Sequence, residues 1–199
     1  MKLRATLFLL LIALTGLVFA APDYPYADDR LVLVYDRYSL KVAIRDPTPM
    51  LRIYGSGRAV IYYSAFSPLA GEYEVMLSRG EMNALMSAVT QADLHRANPS
   101  ELQNSANAAE QRRRDKSGDL YYSSDATISL LRTNVNGNSI DNSLIFENLQ
   151  DTDNRLEGIP QIKSFAALER HLMNLLKRPD RVRTGNPIPL ERITAERGR

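Results

Sequence analysis

The chain has 199 residues, 25 basic and 23 acidic, and contains neither cysteine nor tryptophan. That length suffices for one domain with a real core and is marginal for two. Without cysteine, a disulfide framework, a thiolate metal site and the lipidated cysteine of a bacterial lipoprotein are excluded.

Residues 1–20 have the pattern of a secretory signal. Lys2 and Arg4 form a positive start, Leu7 to Leu14 is an unbroken apolar run, and Val18 and Ala20 are small residues at the −3 and −1 positions of a cleavage site. The run is short of the roughly 20 apolar residues of a membrane span. The expectation is therefore export with cleavage after Ala20 and no membrane span afterwards; a retained anchor is the alternative. Together with the lack of cysteine, this suggests a bacterial periplasm or exterior. Cleavage removes Lys2 and Arg4, so 25 basic residues become 23, against 23 acidic. A formally neutral product is no nucleic-acid signature.

Ala21 to Arg30 reads as an irregular lead-in. Leu31 to Tyr35 is a continuous apolar run, expected to be a strand covered on both faces. Tyr38 to Ile44 is a second strand or its continuation past a bulge near Asp36-Arg37, stopped by Pro47 and Pro49. Two β-rich runs, Leu51 to Tyr54 and Arg58 to Tyr63, meet at Gly55-Ser56-Gly57, whose glycines suit a tight hairpin. The second arm is apolar on both faces and should lie inside a sheet. In the next run Tyr73, Val75 and Leu77 alternate with Glu72 and Glu74, one face for the core and one for water.

Ser78 and Glu81 have capping-box spacing. The helix they open should run from Arg79 to near Leu94, burying Met82, Leu85, Met86 and Val89. Between His95 and Leu120, Leu102 is the only large apolar residue. Asn98-Pro99 with Glu101 is a helix-start signal, but a helix here has little to bury, so 96–119 is expected to be a mobile polar insertion.

Tyr121 to Arg132 resumes the sheet, with Ala126, Ile128 and Leu130 sharing a face. Asn136-Gly137 marks a hairpin returning through Ile140, Leu144 and Phe146. Asp151 to Pro160 is expected to be a polar connection. Ser164 should cap a second helix, Phe165 to Lys177, with Phe165, Leu168, Leu172, Leu175 and Leu176 inward. From 179 onward, prolines and arginines predict a disordered basic tail. The expected fold is α+β: one mostly antiparallel sheet with two helices packed on one face, in the order β-β-β-β-α-loop-β-β-α, forming a single domain over 21–178.

Chemistry is sparse. A hydrolytic triad would draw on His95 or His171 with Ser123, Ser124 and Asp125, yet no Gly-x-Ser-x-Gly elbow occurs. Asp151-Thr-Asp153-Asn154 resembles the start of a calcium loop, but Gly158 falls too late and no glutamate closes it. Gly55-x-Gly57 precedes a strand and lacks the third glycine of a dinucleotide-phosphate loop. No catalytic, cofactor or metal residue is assigned. The candidate partner contacts are the basic cluster Arg112, Arg113, Arg114 and Lys116, suited to a phosphate-bearing surface, and the strand tyrosines Tyr54 and Tyr62. The expected function is a non-enzymatic envelope module binding a protein partner or an envelope surface. The alternative is a periplasmic hydrolase or small-ligand-binding protein using His171 or His95.

Overall fold

A computed structural model describes residues 22–26, 28–41, 45–118, 126–137, 139–156 and 158–189. The expected signal, Tyr121 to Asp125 and the end of the tail lie outside them.

Among the described residues seven strands form one antiparallel sheet: β1 Leu31–Ser39, β2 Leu51–Tyr54, β3 Arg58–Tyr63, β4 Gly71–Met76, β5 Thr127–Thr133, β6 Ser143–Glu147 and β7 Val182–Gly185. Their spatial order is β6-β5-β1-β2-β3-β4-β7. Among the described residues four helices accompany them: α1 Arg79–Gln91, α2 Pro99–Ser117, α3 Leu149–Arg155 and α4 Pro160–Leu176. The class is α+β, as the alternation and the two amphipathic stripes imply.

One sheet face builds the core. Leu51 and Ile53 of β2, Ala59 and Ile61 of β3, Val75 of β4, Leu131 of β5, and Leu144 and Phe146 of β6 join one apolar cluster. All four helices contribute to it, including Met82, Leu85, Met86 and Val89 of α1 and Phe165, Leu168, Leu172, Leu175 and Leu176 of α4. On the opposite face ion pairs link the strands: Arg52 of β2 reaches across β3 to Glu72 of β4 at 2.7 Å, and Arg58 of β3 pairs with Glu74 of β4 at 3.1 Å.

The hairpin at 55–57 is fixed by close approach as much as by backbone freedom. Gly57 has φ +89, and a Cβ on Gly55 would fall 1.7 Å from the Pro25 carbonyl oxygen. The irregular lead-in thus packs directly on the turn. Ser78 and Glu81 make the expected reciprocal capping box. Asn136 (φ 51) and Gly137 (φ 75) make a turn within the longer connection between β5 and β6; the return strand begins only at Ser143, so Ile140 is not part of it as expected.

Five local expectations are corrected. The 96–119 stretch is not a loop: Asn98 caps α2 by accepting from Ser100 and Glu101, and Leu102, Ala106 and Ala109 bury a narrow stripe. Alanines let a helix dock with little large apolar surface. The 151–160 connection contains α3. Helix α4 starts at Pro160, with Ile159 rather than Ser164 at its N-cap, which brings Ile162 into the core. On β5, Ile128 and Leu130 share a face as expected, and it is the opposite one, with Ser129, Leu131 and Thr133, that takes the helix-facing register. The tail supplies an edge strand. β7 pairs with β4, and Arg181 donates to the Leu176 and Arg178 carbonyls at the end of α4. Lastly, β1 is a single strand through Ser39, its irregularity lying at Leu31/Leu33 instead of Asp36-Arg37.

Candidate functional site

The two histidines occupy different environments. His171, on α4, is exposed in a groove of about 420 Å³ between α1 and α4. Ala84, Ala88, Ala92 and Ala167 line that groove, and none of its lining residues is a carboxylate. The arrangement gives His171 no base–orienter relation of the kind a triad needs.

His95 lies just past α1, with only 4 % of its side chain exposed. The chain reaches it through Asp93, whose φ of +53 turns the backbone after the helix. Among the described residues neither ring nitrogen has a hydrogen-bond partner. Asp93 Oδ1 stands 3.7 Å from Nδ1, beyond hydrogen-bond length. Each polar group buried without a partner costs about 1–3 kcal/mol, so this ring is costly unless something else occupies the space beside it. A cavity of about 390 Å³ adjoins it, walled by Leu94, Ala97 and Pro99 on one side and Leu131, Thr133 and Leu144 on the other, with Arg96, Asn142 and Ser143 completing the lining.

A second buried polar group is fully satisfied. Glu169 of α4 is 1 % exposed. Its Oε1 accepts from the Tyr35 hydroxyl at 2.9 Å and from the Ser129 hydroxyl. Its Oε2 accepts from Gln150 Nε2 at 2.6 Å. Burial, followed by the adjacent Glu169 charge, drives the Tyr35 phenol well above its ordinary value. This network ties α4 and α3 to the centre of the sheet.

The other candidates are dispersed. Ala109 is the last buried residue of α2, so its final two turns carry exposed Arg112, Arg114 and Lys116. Arg113 is half-buried and pairs with Glu110, which also binds Arg155 of α3. Tyr62 is buried: its hydroxyl donates to Asp46 and accepts from the Ile188 amide at 3.1 Å, so it holds the tail instead of presenting a ring. Tyr54 is half-buried under the Arg58 guanidinium, 3.9 Å from the ring centroid. The basic and tyrosine candidates therefore do not converge on one surface feature. Asp153, from the calcium-like run, pairs with Arg170 at 3.1 Å on adjacent helices. Among the described residues no group of three or more acidic or histidine side chains is placed to hold a metal ion. Among them, too, no helix is long and apolar enough to cross a membrane.

No protein-family model, curated protein or solved structure matches this chain. Its function has to be argued from its own residues.

Sequence reasoning missed the Glu169 network and the walls of the His95 cavity. Glu169 had a signal: it lies four residues after Phe165, inside the apolar stripe of α4. The cavity had none, since it joins residues 94–99 to 131–144 across the sheet.

Proposed function

We propose that the protein is an exported, non-enzymatic module of a bacterial envelope that docks on an anionic surface through the C-terminal end of α2. The observation that carries this is the projection of Arg112, Arg114 and Lys116 from helical turns that contribute nothing to the core. A folded helix holds these charges in fixed relation and lowers the ordering cost that a flexible loop would incur on docking. Asp115 interrupts the cluster, and Gln111 Nε2 donates to its carboxylate at 2.8 Å. Export rests on the pattern of residues 1–20. The basic residues at the start of the tail are engaged elsewhere, Arg181 at the end of α4 and Arg183 on the Ala70 carbonyl, so α2 offers the better contact.

The phosphate head groups of anionic lipids match this chemistry. Each basic side chain near such a surface contributes about 1 kcal/mol, and the attraction decays within a Debye length of about 8 Å at physiological salt. Co-sedimentation with vesicles tests it. The mature protein is expected to bind vesicles doped with an anionic phospholipid, to ignore purely zwitterionic ones, and to release with added salt. The triple variant Arg112→Ala, Arg114→Ala, Lys116→Ala should lose roughly a hundredfold in affinity. Equal binding by the triple variant, or no preference for anionic vesicles, refutes the proposal.

A further inference from the structure

We propose that β6 is an association edge, on which two copies of this chain pair their β6 strands antiparallel about Ile145 and join their sheets into one. The backbone supplies the first argument. The Asn148 amide donates to the Thr127 carbonyl at 2.8 Å. Alternation along an antiparallel ladder then turns the N–H and C=O groups of Leu144 and Phe146 towards β5, and those of Ser143, Ile145 and Glu147 away from it. No described strand lies on that outer side. Open edges are ordinarily blunted by short strands, bulges, proline or lysine. β7, at the opposite edge, has such devices: four residues, a register shift against β4, and Pro187 just beyond. β6 has no proline, no lysine and no register shift against β5, and its central residue, Ile145, is 41 % exposed.

Self-complementarity selects a second copy as the partner. A two-fold interface brings the same patch of both chains together, so the strand must match its own reverse. Pairing centred on Ile145 sets Ile145 against its symmetry mate, and Ser143 against Glu147 of the second copy. On the helix-free face Leu130 flanks Ile145 and Arg132 flanks Ser143. The central row across the joined sheets is therefore apolar throughout: Leu130 and Ile145 of each copy. In the rows on either side Arg132 stands one strand away from Glu147 of the second copy. The same sheet already makes such a reach, where Arg52 spans β3 to Glu72 at 2.7 Å. Arg132 and Glu147 are both exposed, and neither has an ionic partner among the described residues. A register centred on Glu147 would instead oppose two carboxylates. The edge is short, so the dimer belongs to the weak, transient class of interface. It does not depend on the docking role of α2.

Sedimentation velocity of the mature protein at concentrations up to about 1 mM is expected to show a monomer–dimer equilibrium. Amide hydrogen exchange, compared at low and high concentration, should slow at Ser143, Ile145 and Glu147. It should not change at Leu144 and Phe146, which are bonded to β5 in both states. Ile145→Lys alters an exposed side chain, should keep the parent's circular dichroism, and should remove the dimer by opposing two cations at its centre. Arg132→Glu should weaken association about tenfold, since two attractions become two repulsions. Adding Glu147→Arg to it reverses both charges and should restore the parent's affinity. The proposal is overturned if the chain stays monomeric up to about 1 mM, or if Ile145→Lys associates like the parent. It is equally overturned if the slowed amides are not those of Ser143, Ile145 and Glu147, or if the double charge reversal associates no better than Arg132→Glu alone.

Discussion

Replacing Glu169 by leucine tests whether the buried carboxylate is a structural pin. The substitution removes the acceptor of three donors: the Tyr35 hydroxyl, the Ser129 hydroxyl and Gln150 Nε2. Gln150 keeps a second acceptor, the Ala166 carbonyl at 3.0 Å. Tyr35 and Ser129, 0 % and 1 % exposed, are left with no route to water. Two orphaned hydroxyls at about 1–3 kcal/mol each predict a loss of about 2–6 kcal/mol, a large share of the stability of an ordinary domain. At about 2–4 °C per kcal/mol for a chain of this size, the thermal midpoint should fall by roughly 10 °C. The sharper test adds Tyr35→Phe and Ser129→Ala to Glu169→Leu. Removing the stranded partners together with their acceptor can be nearly neutral, because no polar group is left without a bond. Urea unfolding followed by circular dichroism should therefore show the triple variant more stable than the single one. A single variant within 1 kcal/mol of the parent, or a triple variant less stable than the single, refutes the reasoning.

Two glycines give opposite outcomes for the same change. Gly55→Ala should destabilise severely, since its Cβ would overlap the Pro25 carbonyl, whereas Gly80→Ala, with no contact closer than 4.0 Å, should stabilise α1 by about 0.5 kcal/mol; thermal melts of both decide it. Ser78→Ala removes the cap of α1 and should cost about 1 kcal/mol. Its bonds to Glu81 are the leading cause holding that carboxyl below its ordinary value, so the parent loses this contribution as pH falls through the carboxylate range, and the variant should show a shallower acid decline in urea midpoints. At the alkaline end, burial and then the Asp46 hydrogen bond push Tyr62 from 10.0 up to about 12. The unfolded chain ionises first, so this stabilisation is complete below the ordinary phenol value and drains as pH rises towards about 12. Tyr62→Phe should flatten that part of the stability profile, and an unchanged slope would show that Tyr62 does not titrate with unfolding.

What was legible in the sequence was what local spacing determines. Ser78 and Glu81 declared the start of α1, and its four buried residues follow from the 3.6-residue period alone. Asn98 and Pro99 declared α2 just as plainly, but a stripe of Leu102, Ala106 and Ala109 is nearly silent on a hydrophobicity count, because alanine docks by being small. On β5 the alternation shows two faces but not which one points inward, and apolarity alone favours Ile128 and Leu130 over Ser129 and Thr133. The preference was reversed by Glu169 on α4, which supplies the bond that makes a buried hydroxyl tolerable, and no rule confined to β5 contains that information. β7 depends in the same way on a remote partner: its four residues have little to bury, with Val182 65 % exposed, and they pair because β4 offers an open edge. The cavity beside His95 is the extreme case. His95 stands out in a chain with two histidines, but its unpartnered nitrogens become a chemical fact only when β5 and β6 come to lie across from the end of α1. Sites of this kind are tertiary in origin. Their chemistry follows from which groups the fold brings beside a buried ring, here Asp93 Oδ1 at 3.7 Å from His95 Nδ1 and the wall that β5 and β6 supply.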